Sequence, residues 1–198
     1  MRVFELPKAG KASPTEELTL QSDVLHFSIY QNMICFVLHS KEILKAKILN
    51  NSIMDLYDAK RIKIEGHESK TFHTVLSFNG YTAVAGTAPS DRKSHNTIKL
   101  YNHNLNYLGA VSFNEISPDI ALNPIHSLKG VMKKGVTFVI GVYVYYNVSM
   151  CAILDNTLVT LVRNARMSAS RINGVCLSDQ YRSNVLLYGY NEFAVYKF

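Results

Sequence analysis

Short apolar segments separated by turn residues recur along this chain, and between Gly66 and Asn102 three of them follow one another directly. They lie at 74–78, 82–87 and 97–102. Segments of this length, bounded by turn residues and rich in Val, Ile and Thr, predict β-strands. The chain has 12 Tyr and 9 Phe but no Trp, and β-branched and aromatic residues suit pleated, half-buried surfaces. We therefore predict an all-β fold.

The same segment resembles one blade of a WD-repeat β-propeller. Gly66-His67 opens it as Gly-His opens such a repeat, and about forty residues later a strand of the "TIKLY" type closes it. Tyr101-Asn102 stands where that family usually carries Trp-Asp. The resemblance implies that His67 forms a hydrogen bond within its blade. It also implies neighbouring blades, because one blade cannot bury both of its faces.

The rest of the chain repeats this organisation. We predict an N-terminal strand and linker over residues 1–20 and a propeller-like domain over 21–198. About four four-stranded blades fit the domain, and their predicted bounds are 21–58, 59–104, 105–163 and 164–198. The fourth strand of the first blade is predicted at 53–57, where Leu56-Tyr57-Asp58 echoes Leu100-Tyr101-Asn102. A β-sandwich, a β-barrel or a mixed fold are the alternatives.

Turn and glycine positions support the repeat. Asp155-Asn156 is predicted to form a tight turn between two strands. A glycine follows an apolar strand in three of the units, at Gly86, Gly141 and Gly189. A propeller would use such glycines where strands crowd near its central channel, although glycine ends strands in other β proteins too.

Four blades pose a problem of closure, because a ring whose ends do not meet leaves unpaired sheet edges. WD-repeat propellers mostly have around seven blades. Either the N-terminal strand, at residues 2–6, closes the last blade, or a partner protein supplies further blades. In the second case the chain would be an obligate subunit of a complex.

Charge gives a weaker indication of partners. The formal net charge of +6 and the pI of about 9.2 favour acidic partners such as nucleic acid. The basic residues occur in twos and threes, so they form either solvated loops or, once folded, one basic face. The candidate binding surface consists of exposed basic residues in predicted loops: Arg92, Lys93, His95, Lys133, Lys134, Arg163 and Arg166.

Cysteine usage and the first residues predict an intracellular protein, cytoplasmic or nuclear. The three cysteines, Cys35, Cys151 and Cys176, lie within apolar runs, which predicts reduced, buried thiols. The opening residues do not form a charged-then-apolar leader, and no apolar run approaches the ~20 residues needed to span a bilayer.

Catalytic and metal-binding patterns are poorly supported. There is no Gly-x-Ser-x-Gly motif, and Gly130 and Gly135 have phosphate-loop spacing but are followed by Val136-Thr137 in place of Lys-Ser or Lys-Thr. The seven His residues are scattered without a metal-ligand pattern, and with 15 acidic residues paired carboxylates are scarce and none cluster near aromatic residues as in a sugar-binding cleft. We predict no enzyme activity, no cofactor and no metal.

The function predicted from these features is that of a scaffold or adaptor subunit that mediates protein–protein interactions in an intracellular complex. The alternative is a basic nucleic-acid-binding subunit of a ribonucleoprotein or chromatin complex. The aromatic group at 143–146 could stack bases, but we favour a role in core packing. A propeller hydrolase with a metal in its channel is a third, weaker hypothesis.

Overall fold

The structure is a computed structural model that describes residues 2–4, 14–17, 20, 22–48, 59–64, 71–89, 94–113, 124–143, 147–166, 172–177, 184–189 and 193–197. Within these ranges the chain forms β-strands joined by turns, as the sequence predicts, and no helix has the length and apolar character needed to cross a membrane. The strands are β1 (Arg2–Phe4), β2 (Pro14–Glu17), β3 (Val24–Tyr30), β4 (Met33–Leu38), β5 (Glu42–Lys47), β6 (Lys60–Lys63), β7 (Thr71–Phe78), β8 (Tyr81–Pro89), β9 (Ser94–Asn102), β10 (Tyr107–Phe113), β11 (Ile125–Lys133), β12 (Val136–Tyr143), β13 (Asn147–Leu154), β14 (Thr157–Arg166), β15 (Ile172–Leu177), β16 (Asn184–Gly189) and β17 (Phe193–Lys197).

Consecutive strands pair antiparallel and form a series of small sheets. Sheet I contains β3 to β6, sheet II contains β7 to β10, and sheet III contains β11 to β14, each in chain order. Sheet IV contains the three strands β15 to β17. The N-terminal strand β1 pairs with β2, which lies in the predicted linker, and within the described residues it does not join sheet IV as the closure hypothesis required. The short connections explain this order, because neighbouring segments joined by tight turns pair with each other first.

Several hairpins close with two-residue turns whose central residues both have positive φ. The φ angles are 48° and 79° at Asn79-Gly80, the same at Lys134-Gly135, and 48° and 61° at Asp155-Asn156. Such turns match the right-handed twist of the strands they join, and Asn, Asp and Gly tolerate the conformation best. The predicted tight turn at Asp155-Asn156 is confirmed.

The sheets stack face to face, so that each middle sheet is apolar on both sides. In β9, Ile98 and Leu100 pack in the core between sheets II and III, whereas Tyr101 packs in the core between sheets I and II. All three side chains are fully buried. Successive residues of a strand face opposite sides of the sheet, so β9 contributes side chains to two cores.

The first strands of successive sheets lie next to one another. Strand β7 of sheet II packs against β3 of sheet I on one side and β11 of sheet III on the other, and β11 also contacts β15 of sheet IV. Sheets I to IV therefore radiate outward from a common axis lined by β3, β7, β11 and β15.

Glycine allows the close approach of these inner strands. A Cβ atom at Gly130 in β11 would lie 2.8 Å from Cβ of Phe78 in β7, and closer still to the ring. At Gly141 in β12, a Cβ would lie 3.2 Å from Cδ1 of Ile125. Gly141 thus fits the predicted crowding, but the tighter position, Gly130, was not recognised from the sequence.

The predicted blade bounds need correction. Strand β6 (Lys60–Lys63) pairs with β5 and belongs to sheet I, and β10 (Tyr107–Phe113) pairs with β9 and belongs to sheet II. The predicted boundaries at 58/59 and 104/105 therefore cut through sheets, and the one at 163/164 falls within β14 (Thr157–Arg166). Both misplaced strands have mixed sequences in place of a continuous apolar run, because they lie at the outer edges of their sheets. The strand predicted at 53–57 lies outside the described residues.

Candidate interaction surface

One face of strand β3 is polar and the other is apolar. The side chains of the polar face contact sheet II. The hydroxyl oxygen of Ser28 accepts a hydrogen bond from the backbone N–H of Ser77 at 3.0 Å. The ring of Tyr30 packs edge-on against Phe78, with 5.0 Å between ring centroids. This face therefore belongs to the interface between sheets I and II.

The opposite face of β3 is apolar and exposed. Val24, Phe27 and Ile29 are 38%, 50% and 55% exposed. They lie opposite Leu38, Phe36 and Ile34 of β4 in the antiparallel register, so all six side chains project from the same side of sheet I. We call Val24, Phe27 and Ile29 the open face. Leu25, which is 42% exposed, sits at the β-bulge between Val24 and His26.

The apolar side chains of β4 and β5 on this side of sheet I are covered. Ile34, Phe36, Leu38, Leu44 and Ala46 are buried there, and Leu20, Ile48 and Ala59 pack against them. The rings of Phe27 and Phe36 are 6.3 Å apart between centroids, so the open face continues a buried apolar surface toward the axis. Among the described residues on this side of sheet I, the exposed apolar side chains lie on the inner strand, and the exposed residues of the outer strand β6, Arg61 and Lys63, are charged.

A group of basic side chains lies near the axis behind the open face. The imidazole Nδ1 of His26 is 3.4 Å from the backbone nitrogen of Val75, which donates to it, and 3.4 Å from Oγ1 of Thr74. Burial lowers the pKa of His26 below its ordinary value of 6.5, and the positive charge of Lys129, together with the nearby His126, lowers it further. Strands β3, β7 and β11 thus meet around a histidine that stays neutral more readily than usual.

Two lysines lie in the interface between sheets I and II. Lys45 donates a hydrogen bond from Nζ to the backbone oxygen of His103 at 3.2 Å, and burial lowers its pKa. Nζ of Lys99 lies over the ring of Phe72, 5.8 Å from its centroid, where a cation–π interaction compensates part of the lost hydration. Lys45 thus links sheet I to the turn after β9, whereas Lys99 packs against Phe72 within sheet II.

The described thiols are buried, as predicted. Burial raises the pKa of Cys35 to about 12 and that of Cys151 to about 11. Nearby groups, including Thr82 beside Cys35 and Thr160 beside Cys151, offset this only in part. Thiolates are the reactive form of cysteine, so neither residue is suited to nucleophilic or redox chemistry near neutral pH. Across the described residues, no group of three His, Cys, Asp or Glu side chains could hold a metal ion.

The structure separates the basic residues that the sequence grouped into one candidate surface. Lys133 and Lys134 lie at the β11–β12 turn, at the same end of sheet III as the Asp155-Asn156 turn. Arg163 lies six residues along β14 from Thr157, about 20 Å toward the other end. His95 lies in β9 and Arg166 ends β14, whereas Arg92 and Lys93 fall outside the described residues.

The residues of the predicted blade signature can be followed only in part. Tyr101 is fully buried near the end of β9, and its ring packs edge-on against Tyr107 at 5.6 Å. The side-chain oxygen of Asn102 accepts hydrogen bonds from the backbone nitrogens of Asn104 and Asn106, each at 2.9 Å. Gly66 and His67 lie outside the described residues. Tyr101 is therefore a core residue of β9, and the side-chain amide of Asn102 stabilises the turn that follows.

In the aromatic group at 143–146, Tyr143 is in the core, as predicted. It is fully buried, and its hydroxyl lies 2.9 Å from that of Ser149. Residues 144–146 are outside the described ranges.

The open face is the feature that sequence reasoning missed. From His26 to Tyr30 the residues alternate polar and apolar, which correctly predicts a strand with one apolar face. The pattern cannot show whether that face meets another sheet, because this depends on how many sheets surround the axis.

No protein-family model matches the chain, and no curated protein matches it in sequence. Solved structures do match in fold. The computationally designed protein Ika4 has a TM-score of 0.51 and 14% identity, over 90% of this chain and 93% of that chain. The designed protein Ika8 has a TM-score of 0.53 and 15% identity, over 90% of this chain and 47% of that chain.

A natural domain gives a similar match. The WD40 domain of SCAP from fission yeast has a TM-score of 0.53 and 9% identity, over 89% of this chain and 44% of that chain. A complex of the fission yeast SREBP and SCAP binding domains also matches, with a TM-score of 0.51 and 10% identity, over 98% of this chain and 55% of that chain. Our chain thus spans about half the length of Ika8 and of the SCAP chains. With its sheets radiating from one axis, it has a β-propeller fold in which sheets I to III are four-stranded blades.

Proposed function

We propose that this chain is a protein-interaction propeller, a scaffold or adaptor subunit of an intracellular complex that binds its partners through the open face and has no catalytic role. One observation carries the proposal: Phe27 and Ile29, on the inner strand of the first blade, are half exposed although they continue a buried apolar surface. Contiguous exposed apolar surface on a soluble protein commonly marks an interaction site.

The chemistry of the open face suits a docking role. An aromatic ring flanked by β-branched side chains offers large apolar contact area on a rigid strand, and such anchors carry much of the affinity at protein interfaces. The fission yeast SCAP domain, seen in a complex with the SREBP binding domain, supports the view that this fold serves protein binding. We further propose that the degenerate repeats are distantly related to WD repeats, with Tyr101 in the place of their Trp.

The nucleic-acid alternative rests on the net charge of +6. Lys133 and Lys134 lie toward one end of sheet III and Arg163 toward the other, so these three candidates do not lie side by side along one path for a phosphate backbone. We therefore place protein binding first. Oligonucleotide binding that weakens steeply with salt, and that Lys134→Glu weakens further, would favour the alternative.

Photo-crosslinking at the open face tests the proposed function. A photoreactive phenylalanine analogue replaces Phe27 in the full chain, expressed in the source cells, and the adducts are identified by mass spectrometry. We expect discrete protein adducts that disappear when Ile29→Glu is added. The matched control carries the analogue at Leu161, which is 49% exposed on the outermost strand of sheet III. Failure to form protein adducts at position 27, or the same adducts from both positions, would contradict the proposal.

A further inference from the structure

We propose that the open face accepts the last blade of a second copy of this chain, so that two copies together form one closed propeller. The first support is a contact that repeats along the axis. Strand β3 packs against β7, β7 against β11, and β11 against β15. The open face is the next position in that series, on the free side of β3, and the occupant that fits it is the inner strand of another blade.

The second support is the arc that the chain spans. About nine-tenths of this chain superposes on 47% of Ika8 and on 44% of the fission yeast WD40 domain. Four sheets that follow half of a larger propeller point their first and last members away from each other, whereas the match over 93% of Ika4 makes a ring closed within one chain the competing arrangement. The exposure of Val24, Phe27 and Ile29 in the full chain favours the half-ring, because a closed ring would place the last blade over them.

Two half-rings close by a two-fold rotation. The rotation places sheet IV of each copy against sheet I of the other, which gives two identical contacts and satisfies both ends at once. The open face suits this role because its three side chains are uncharged and apolar, as are the side chains that join sheets II and III. The inference rests on the proposed function in one respect, since both assign binding to the open face, but it names the partner.

The test is the mass of the full chain in solution, measured by light scattering over a range of concentrations. We expect twice the 22.3 kDa of one chain. Phe27→Glu and Ile29→Glu would each place a charge in both contacts, and should raise the dissociation constant of the dimer by about a hundredfold or more. Leu161→Glu, an equally drastic change at an exposed position outside the open face, should leave the dimer intact.

Crosslinking between labelled copies makes the test independent of how well the charged variants fold. Copies with the photoreactive analogue at position 27 are mixed with isotopically heavy copies that lack it. We expect crosslinks from position 27 to residues 172–197 of the heavy copy. Crosslinks to 172–197 of the same copy would show a ring of four blades closing on itself, and would overturn the proposal.

The remaining outcomes are equally decisive. A mass of 22.3 kDa at every concentration overturns the dimer, and so does a dimer that Phe27→Glu and Ile29→Glu leave unchanged. A monomer that still forms adducts with another protein at position 27 in cells would refute the second copy while supporting the proposed function. A monomer that also forms no protein adducts at position 27 would refute both the dimer and the proposed function.

Discussion

At the scale of single residues, His26 couples the first blade to the second in a way that depends on pH. Its Nδ1 can accept from the N–H of Val75 only while unprotonated. Protonation would remove that bond and set a new charge beside Lys129 and His126, which face it from β11, with Thr74 on the side of β7. The folded chain therefore binds this proton less readily than the unfolded chain.

This gives a prediction with a definite sign. Because the pKa of His26 is lowered by folding, the unfolded state takes up the proton first as the pH falls below 6.5, and the free energy of unfolding decreases. Urea denaturation between about pH 7.5 and about pH 5.5 should show this loss. The loss should be smaller in His26→Asn, whose amide oxygen can still accept from Val75.

The matched control is His39→Asn, at an exposed turn position on the same sheet. The pH dependence of the free energy of unfolding is wrongly assigned to His26 if both variants reduce it equally, or if His26→Asn leaves it unchanged.

The buried thiols give a second prediction at this scale. In a Cys176→Ser background, Cys35 and Cys151 are the remaining cysteines. Both are fully buried with raised pKa values, so we expect neither to react with a thiol reagent in the native state near neutral pH, and both to react in urea. Rapid labelling of the folded chain would contradict the described burial.

At the scale of elements, the contact between β7 and β11 depends on a missing side chain. Gly130→Ala would place a methyl group against Phe78, and overpacking of this kind costs about 1–3 kcal/mol. We expect urea denaturation to show this loss of stability. Gly141→Ala should cost less, because its Cβ would meet the flexible end of Ile125 at 3.2 Å.

A double-mutant cycle identifies the cause. In a Phe78→Ala background the ring is gone, so the added cost of Gly130→Ala should fall. An equal cost in both backgrounds would mean that the glycine serves the strand conformation, and not the close approach of two blades.

Much at this scale could be predicted from the sequence. The segments at 74–78, 82–87 and 97–102 became β7, β8 and β9, because apolar strands buried on both faces carry a strong pattern. Strands β6 and β10 were assigned to the wrong units. They are edge strands, and the mixed polarity of Lys60–Lys63 does not distinguish an edge strand from a loop.

At the scale of the whole molecule, the sequence predicted the all-β propeller class and the difficulty of closing a ring with about four units. It did not identify the open face as the surface that an unclosed ring leaves exposed. Phe27 and Ile29 resemble core residues in sequence, and their exposure follows from the position of sheet I at the end of the stack. Lys134 and Arg163 lie toward opposite ends of sheet III for a related reason, since strand direction decides which end of a blade each residue occupies.

The two-residue turns of sheets II and III have a further consequence for the two ends of these blades. Asn79 donates to the Thr137 hydroxyl at 2.7 Å, and Tyr81 donates to the Asn156 side chain at 3.0 Å. These two hydrogen bonds join sheets II and III at the end where the two-residue turns lie. At the opposite end, β10 stops at Phe113 and β11 starts at Ile125, so a longer stretch of sequence joins these two strands.

The end with the two-residue turns therefore depends on turn geometry, whereas a longer connection tolerates added residues at little entropic cost. A Gly-Ser insertion within Lys134-Gly135 should lower the melting temperature markedly, because it breaks the turn geometry. The same insertion between residues 117 and 118 should change it little. Equal effects in calorimetry would contradict this asymmetry. If it holds, new peptide sequences could be displayed on one rim of the propeller while the other keeps the blades in register.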